Sequence, residues 1–222
     1  MTLTVAVILD MDGVIIDSNP AHKIALKQFC EKYGYQLDDD QLLKRIYGRT
    51  NKEWIADLFG RKLTAEEVHY YEEEKEEIFR QIFKNDLVAL PGLPHFLTKL
   101  KEHNIPCAIG TSAPRSNVDY VLAGTGIGKY FSAILDESDV EHGKPNPEIY
   151  LKVAARLKFP PAKCIVFEDS LSGIAAAQAA GCKVVGVTTT HSKEEFTHTD
   201  FTVRDFRGLD PVELIAVVFR ES

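Results

Sequence analysis

The sequence predicts an α/β protein: a Rossmann-like parallel sheet core with an inserted all-helical cap. Three observations carry this. Residues 5–9, "VAVIL", form a continuous, β-branch-rich apolar run that is too short for a buried helix and reads as an interior strand. From residue 90 onward, strand and helix patterns alternate, which is the sequence sign of a parallel sheet covered on both faces. Between these two regions lie about 70 residues with helical periodicity throughout, far more than an ordinary crossover in such a fold.

Within the insertion, residues 20–33 repeat their apolar positions at helical spacing, with Pro20 suited to the first turn and Gly34 as a stop. Shorter helices are expected over roughly 39–46 and 51–59, separated by "YGRT". Residues 64–83 open with a capping box, Thr64 with Glu67, and carry seven glutamates against Lys75 and Arg80. Such a run reads as the solvated outer face of a long helix. In the second region, helices are expected over 91–103, 115–126, 146–157 and 172–181, and strands over 105–110, 131–135, 163–167 and 182–187. The sheet domain is thus residues 1–17 with 89–222, and the cap is 18–88.

The chain has 222 residues, 45% of them hydrophobic, enough for one sizeable core and a second, smaller packing unit. Its formal charge is −7, with no basic run long enough to follow a phosphodiester backbone, so nucleic acid is not expected as a partner. A small phosphorylated ligand in a local basic pocket stays compatible with that charge. Cys30, Cys107, Cys164 and Cys182 are widely spaced with no CxxC pair, and read as buried free thiols of a reducing compartment. No cationic segment precedes the first apolar run and no stretch approaches the length of a membrane span. A cytoplasmic monomer without membrane contact is expected.

In an open parallel sheet, ligands sit beyond the carboxyl ends of the strands. Four expected strands end in polar residues there: Asp10 and Asp12, Thr111 and Ser112, Asp136 and Glu137, and Glu168 and Asp169. Convergence would gather several carboxylates whose mutual repulsion calls for a cation, and an all-oxygen donor set points to Mg²⁺ before zinc. Of two aspartates one residue apart, one can bind metal and act as nucleophile while the other shuttles a proton. Gly13 allows a sharp turn that brings backbone N–H groups toward a phosphate. Taken alone, the DxDG string is also compatible with a plain strand-ending turn. Thr111 and Ser112, between a strand and a helix, can hold phosphate oxygens or simply cap the helix. Lys144, fixed beside Pro145, can place an ammonium among carboxylates and phosphate, or be a surface lysine. Arg45, Arg49 and Lys52 can contact an anionic substrate or solvent.

Read in order, "DMDGVIIDS", "GTS", "GKPNPEIY" and "VFEDSLSGIAAAQAAG" resemble the four motifs of the haloacid dehalogenase superfamily, in its branch containing β-phosphoglucomutase and sugar-phosphate phosphatases. The resemblance spans nearly the whole chain, with the helical insertion matching the branch's cap. It implies Asp10 as the nucleophile that becomes an aspartyl phosphate, and Asp12 as general acid/base with its backbone carbonyl on Mg²⁺. It also implies Thr111 and Ser112 as phosphate-holding residues, Lys144 as cationic organiser, Asp169 assisted by Glu168 as the rest of the metal site, and Asp17 and Ser18 as cap hinges. Aspartate at 12 favours phosphoryl transfer over dehalogenation. His22, Arg49, Arg115 and Asn117 are the candidate substrate residues. His22 occurs in mutases and phosphatases alike, whereas "RIYGRTNKEW" departs from the mutase pattern, with Tyr47 before Gly48 and Arg49–Thr50 after it. A phosphatase acting on a small phosphorylated metabolite is therefore expected, with β-phosphoglucomutase as the alternative and a non-catalytic phospho-ligand-binding protein as the third reading.

Overall fold

The computed structural model describes residues 5–45 and 51–220. It divides into two compact units, one of residues 1–17 and 87–222 and the other of residues 18–86.

The first unit is built on β1 (Ala6–Leu9), β2 (Cys107–Gly110), β3 (Phe131–Leu135), β4 (Cys164–Glu168), β5 (Lys183–Val187) and β6 (Phe201–Val203). All neighbours pair in parallel, in the order β3-β2-β1-β4-β5-β6. The chain runs outward from β1 through β2 to β3, then returns to the other side of β1, so the reversal point lies at β1. The central strands β1, β2 and β4 are buried along their whole length, while edge strand β6 is half-buried throughout. This is why the inner strands read as unbroken apolar runs.

One face of the sheet packs Ile8, Ala108 and Val166 against Tyr150, Val153 and Ala154 of α7 (Glu148–Leu157) and Ala176 and Ala177 of α8 (Leu171–Ala179). On the other side, Phe96 of α5 (Leu93–Glu102), Phe167 and Phe206 form an aromatic cluster with centroids 5.2 to 5.5 Å apart. This spacing suits tilted and edge contacts. Helix α6 (Arg115–Thr125) follows β2, and α9 (Pro211–Val218) closes the unit. Neither β6 nor α9 was expected from the sequence. β6 is three residues long and lacks alternation, but α9 carries a readable start: Asp210 accepts from the N–H groups of Val212 and Glu213, with Pro211 in the first turn. All four cysteines are buried and free.

The second unit comprises α1 (Asn19–Lys32), α2 (Asp39–Arg45), α3 (Asn51–Phe59) and α4 (Ala65–Phe83). Its core gathers Leu26, Phe29, Leu42, Trp54, Ile55 and Leu58. Helix α4 opens with both halves of the Thr64–Glu67 capping box. Its glutamate-rich run, however, is not simply a solvated face. Lys75 and Glu76 are buried, paired at 2.7 Å, because 75 and 76 fall on the same side of the helix as Phe79 and Phe83. Composition signals charge density, but only the helix phase decides which charges enter the interior.

Candidate active site

The strand register creates the site. Leu9 on β1 stands beside Ile109 on β2 and Phe167 on β4. The next residue on each strand is Asp10, Gly110 and Glu168, and the one beyond is Met11, Thr111 and Asp169. Carboxylates from positions 10, 168 and 169 therefore meet at one rim, each able to bring an oxygen within 4.8 Å of the others. All three residues are buried.

Lys144 reaches into this cluster from the segment before α7. Its ammonium donates to Asp10 Oδ1 at 2.7 Å and to Glu168 Oε1 at 2.6 Å, with the Gly110 carbonyl at 3.5 Å. Burial works against its charge, but Asp10 and Glu168 outweigh that and hold its pKa above the ordinary lysine range. Burial pushes the Asp10 carboxyl well up, Lys144 opposes this, and the neighbouring Glu168 and Asp169 reinforce it. Glu168 is also opposed by burial, yet Lys144, Tyr150 and Ser170 together bring it below the usual range. Asp169, buried and beside Glu168, is pushed up to about 7. Crowded carboxylates with only one ammonium favour a further cation. The donor set is entirely oxygen, which fits a hard divalent ion such as Mg²⁺.

The Asp12 side chain is not in that three-carboxylate cluster. It lies in a tight loop after β1 in which the Met11 carbonyl accepts from the Ile15 N–H at 2.8 Å and Asp12 forms a bridge with Ile16. Gly13 has a φ of 75°, a left-handed turn that favours glycine. Its own N–H is taken by the Ile16 carbonyl at 2.7 Å, so Gly13 shapes the loop and does not point its own donor at a ligand. Thr111 is buried, and its hydroxyl accepts from the Ala113 N–H, while Ser112 is exposed.

Asp136 and Glu137, expected at the same rim, do not join the cluster. Asp136 Oδ1 accepts from the backbone and hydroxyl of Ser138, and Asp139 returns a bond to the Asp136 N–H, so this carboxylate caps a short 3-10 turn. Arg115 is exposed and bonds Asp119 one turn along α6, and Asn117 is fully buried. In the helical unit, His22 stacks on Phe79 at 3.7 Å with Lys75 Nζ at 3.1 Å from its Nδ1. Arg49, with Tyr47, Gly48 and Thr50, lies outside the described residues.

The haloacid dehalogenase-like hydrolase model matches residues 7–187, a span that contains every carboxylate of the cluster and Lys144. The chain belongs to that family. Among its relatives is a phosphorylated carbohydrates phosphatase of Thermotoga maritima, 35% identical over 183 residues, which cover 82% of this chain and 84% of that protein. The β-phosphoglucomutase of Bacillus subtilis is 34% identical over 193 residues, 82% of each chain. In structure, a family IA hydrolase of Entamoeba histolytica superimposes with a TM-score of 0.87 at 29% identity, over 97% of this chain and 99% of that one. Among the described residues, no helix is long and apolar enough to cross a membrane.

In this haloacid dehalogenase-like hydrolase, several residues around the cluster had no role from the sequence. The loop after β5 contributes two: the Thr190 hydroxyl donates to Asp169 Oδ2, and the Thr189 hydroxyl donates to the Gly13 carbonyl at 2.6 Å. Ser170 caps α8 through Gly173 and donates to Glu168 Oε2 by its N–H and its hydroxyl, each at 3.0 Å. The run "TTT" at 188–190 offers hydroxyls but no pattern that ties them to residues far away in the chain.

Proposed function

We propose that this protein is a Mg²⁺-dependent phosphatase that hydrolyses a small phosphomonoester, by preference a sugar phosphate, through an aspartyl phosphate on Asp10. The observation that carries this reading is the Lys144 ammonium held between Asp10 and Glu168 within a cluster of buried carboxylates. Asp10, Asp169 and the backbone carbonyl of Asp12 would hold the ion, with Glu168 in support. When bound, Mg²⁺ offsets the negative charge that a phosphate dianion brings among carboxylates.

In the first step, a carboxylate oxygen of Asp10 attacks phosphorus in line. The bond from phosphorus to the substrate oxygen breaks, and Asp12 gives its proton to the departing alcohol. In the second, Asp12 as carboxylate takes a proton from water, whose oxygen attacks the same phosphorus, and the acyl phosphate bond to Asp10 breaks to release inorganic phosphate. Lys144, the Thr111 hydroxyl and Ser112 hold the charge on the equatorial oxygens. His22, Arg49, Arg115 and Asn117 stand as the candidate determinants of substrate choice, with Asp17 and Ser18 as the flexing points between the units.

The family also supports a second reading, since the β-phosphoglucomutase of B. subtilis is nearly as similar as the carbohydrate phosphatase. One experiment separates the two. A panel of phosphomonoesters with Mg²⁺ should release inorganic phosphate without any primer. Conversion of β-glucose 1-phosphate to glucose 6-phosphate only with a bisphosphate primer, with little phosphate released, would establish the mutase instead. Asp10→Asn should abolish turnover with folding intact. A wild-type protein inactive in both assays, with ligand binding unchanged in Asp10→Asn, would make it a non-catalytic phospho-ligand-binding protein.

A further inference from the structure

Tyr150, in the first turn of α7, has no solvent exposure and belongs to the core between α7 and the sheet. Its ring is therefore fixed by packing, yet its hydroxyl leaves the apolar core and donates to Glu168 Oε1 at 2.6 Å. The Lys144 ammonium donates to the same oxygen, also at 2.6 Å, and stands over the Tyr150 ring, 5.0 Å from its centroid. That distance is within the range of a cation–π contact. The other oxygen of Glu168 accepts from the Asp169 N–H, the Ser170 N–H and the Ser170 hydroxyl, each at 3.0 Å. A carboxylate offers about four lone-pair sites, so these donors saturate it and fix its plane.

We infer that Tyr150 is a positioning residue of this centre: through Glu168 and its own ring, it sets where the Lys144 ammonium stands against Asp10. Packing alone would be satisfied by phenylalanine, which fills nearly the same volume. The hydroxyl is the part that reaches the site, and a buried phenol demands a partner. Without it, Glu168 Oε1 keeps only the flexible lysine, and the lysine loses the rigid oxygen against which it is braced. The ammonium then has more than one position near Asp10, and the carboxylates around the cation site are less well ordered. Partners of metal-site ligands that act this way typically account for ten-fold or more in affinity or activity.

The role in turnover rests on the phosphatase reading above, while the role in ordering the acidic cluster does not. The test compares wild type, Tyr150→Phe and a variant with p-aminophenylalanine at 150, which restores a donor on the same ring. Mg²⁺ alone is titrated calorimetrically into the substrate-free protein, and the best phosphomonoester of the panel is used for steady-state rates. Tyr150→Phe is expected to weaken Mg²⁺ binding about ten-fold and to lower kcat about ten-fold with KM little changed, with partial recovery of both in the aminophenylalanine variant. A wild type without phosphatase activity whose Mg²⁺ binding still weakens in Tyr150→Phe would remove the phosphatase reading and support the positioning role. Unchanged Mg²⁺ affinity in Tyr150→Phe would overturn it, whether or not the melting temperature falls. Failure of both variants to fold would equally overturn it, because it would assign Tyr150 to the core alone.

Discussion

A Cβ added at Gly173 would lie 1.8 Å from Glu168 Oε1 and 2.0 Å from the carboxyl carbon. Gly173 stands in the first turn of α8, where the Ser170 hydroxyl accepts from its N–H. The absent side chain is the space the carboxylate occupies. Real Cβ contacts do not come so close, so any residue other than glycine must drive Glu168 out of its bonds with Lys144, Tyr150 and Ser170.

Gly173→Ala should therefore act on the site before it acts on the helix. Alanine is the better helix former by about 1 kcal/mol, which offsets only part of the cost of displacing a buried, paired carboxylate. The expected outcome is a loss of turnover of about 100-fold, of the order seen when one charge-stabilising group is lost. Steady-state kinetics checks this. Near-wild-type rates would mean that Glu168 can relocate without consequence.

Lys144→Met removes the only ammonium among the described residues that bonds Asp10 and Glu168. Stripping one partner from buried charges costs roughly 3–5 kcal/mol at neutral pH. The sign with pH follows from the carboxylates. Lys144 lowers the pKa of Asp10, Glu168 and Asp169, so without it their folded-state values rise further, and the stabilising share of a raised carboxyl is complete below its unfolded pKa and disappears as pH rises through the folded one. Metal-free Lys144→Met should be least stable relative to wild type near pH 8 and recover toward pH 5, as read from urea midpoints. A deficit independent of pH would contradict this account.

Asp169 predicts a proton linkage of metal binding. Burial and Glu168 push its carboxyl up to about 7, so below that pH the proton competes with the cation. Mg²⁺ affinity should fall as pH drops below about 7, by up to about ten-fold per pH unit, with proton release on binding. The same raised pKa makes the metal-free protein lose stability as pH rises through about 7, and the cation should reverse this. Calorimetric titrations in buffers of different ionisation enthalpy would reveal the released proton, and a pH-independent Kd from 6 to 8 would contradict it.

Thr190→Val deletes the hydroxyl that donates to Asp169 Oδ2 while keeping the shape of the side chain. Mg²⁺ binding should weaken about ten-fold with the fold unchanged. Direct titration of the metal-free variant measures it. The comparison residue is Thr189, whose hydroxyl holds the Gly13 carbonyl instead. Thr189→Val should slow turnover with a smaller effect on metal affinity.

Much of the site was legible because its acidic and basic groups sit at fixed offsets from strands that announce themselves. Asp10 follows four buried apolar residues and Glu168 ends another such run. Tyr150 and Thr190 carried no such signal, because each acts on a carboxylate distant in the chain. Asp136 ends a strand just as Asp10 does, but a local hydroxyl and two backbone N–H groups absorb its neighbourhood into a 3-10 turn. Lys75 and Glu76 belong to a run that reads as a charged solvent face, and the helix phase they share with Phe79 and Phe83 buries them.

By itself, the sequence determined the alternation of strands and helices, the helical insertion and the identity of the groups that end each inner strand, since hydrophobic period and turn chemistry are local properties of the chain. Only the tertiary structure decided which of those ends share one rim. Parallel register sets Asp10 beside Glu168, a local 3-10 turn takes up the Asp136 carboxylate, and α7 and the loop after β5 bring the hydroxyls of Tyr150 and Thr190 to carboxylates that no spacing along the chain connects to them. The physical reason is that a hydrogen bond or ion pair is fixed by distances of about 3 Å in space, and only the packing of strands, helices and loops turns sequence separation into such distances.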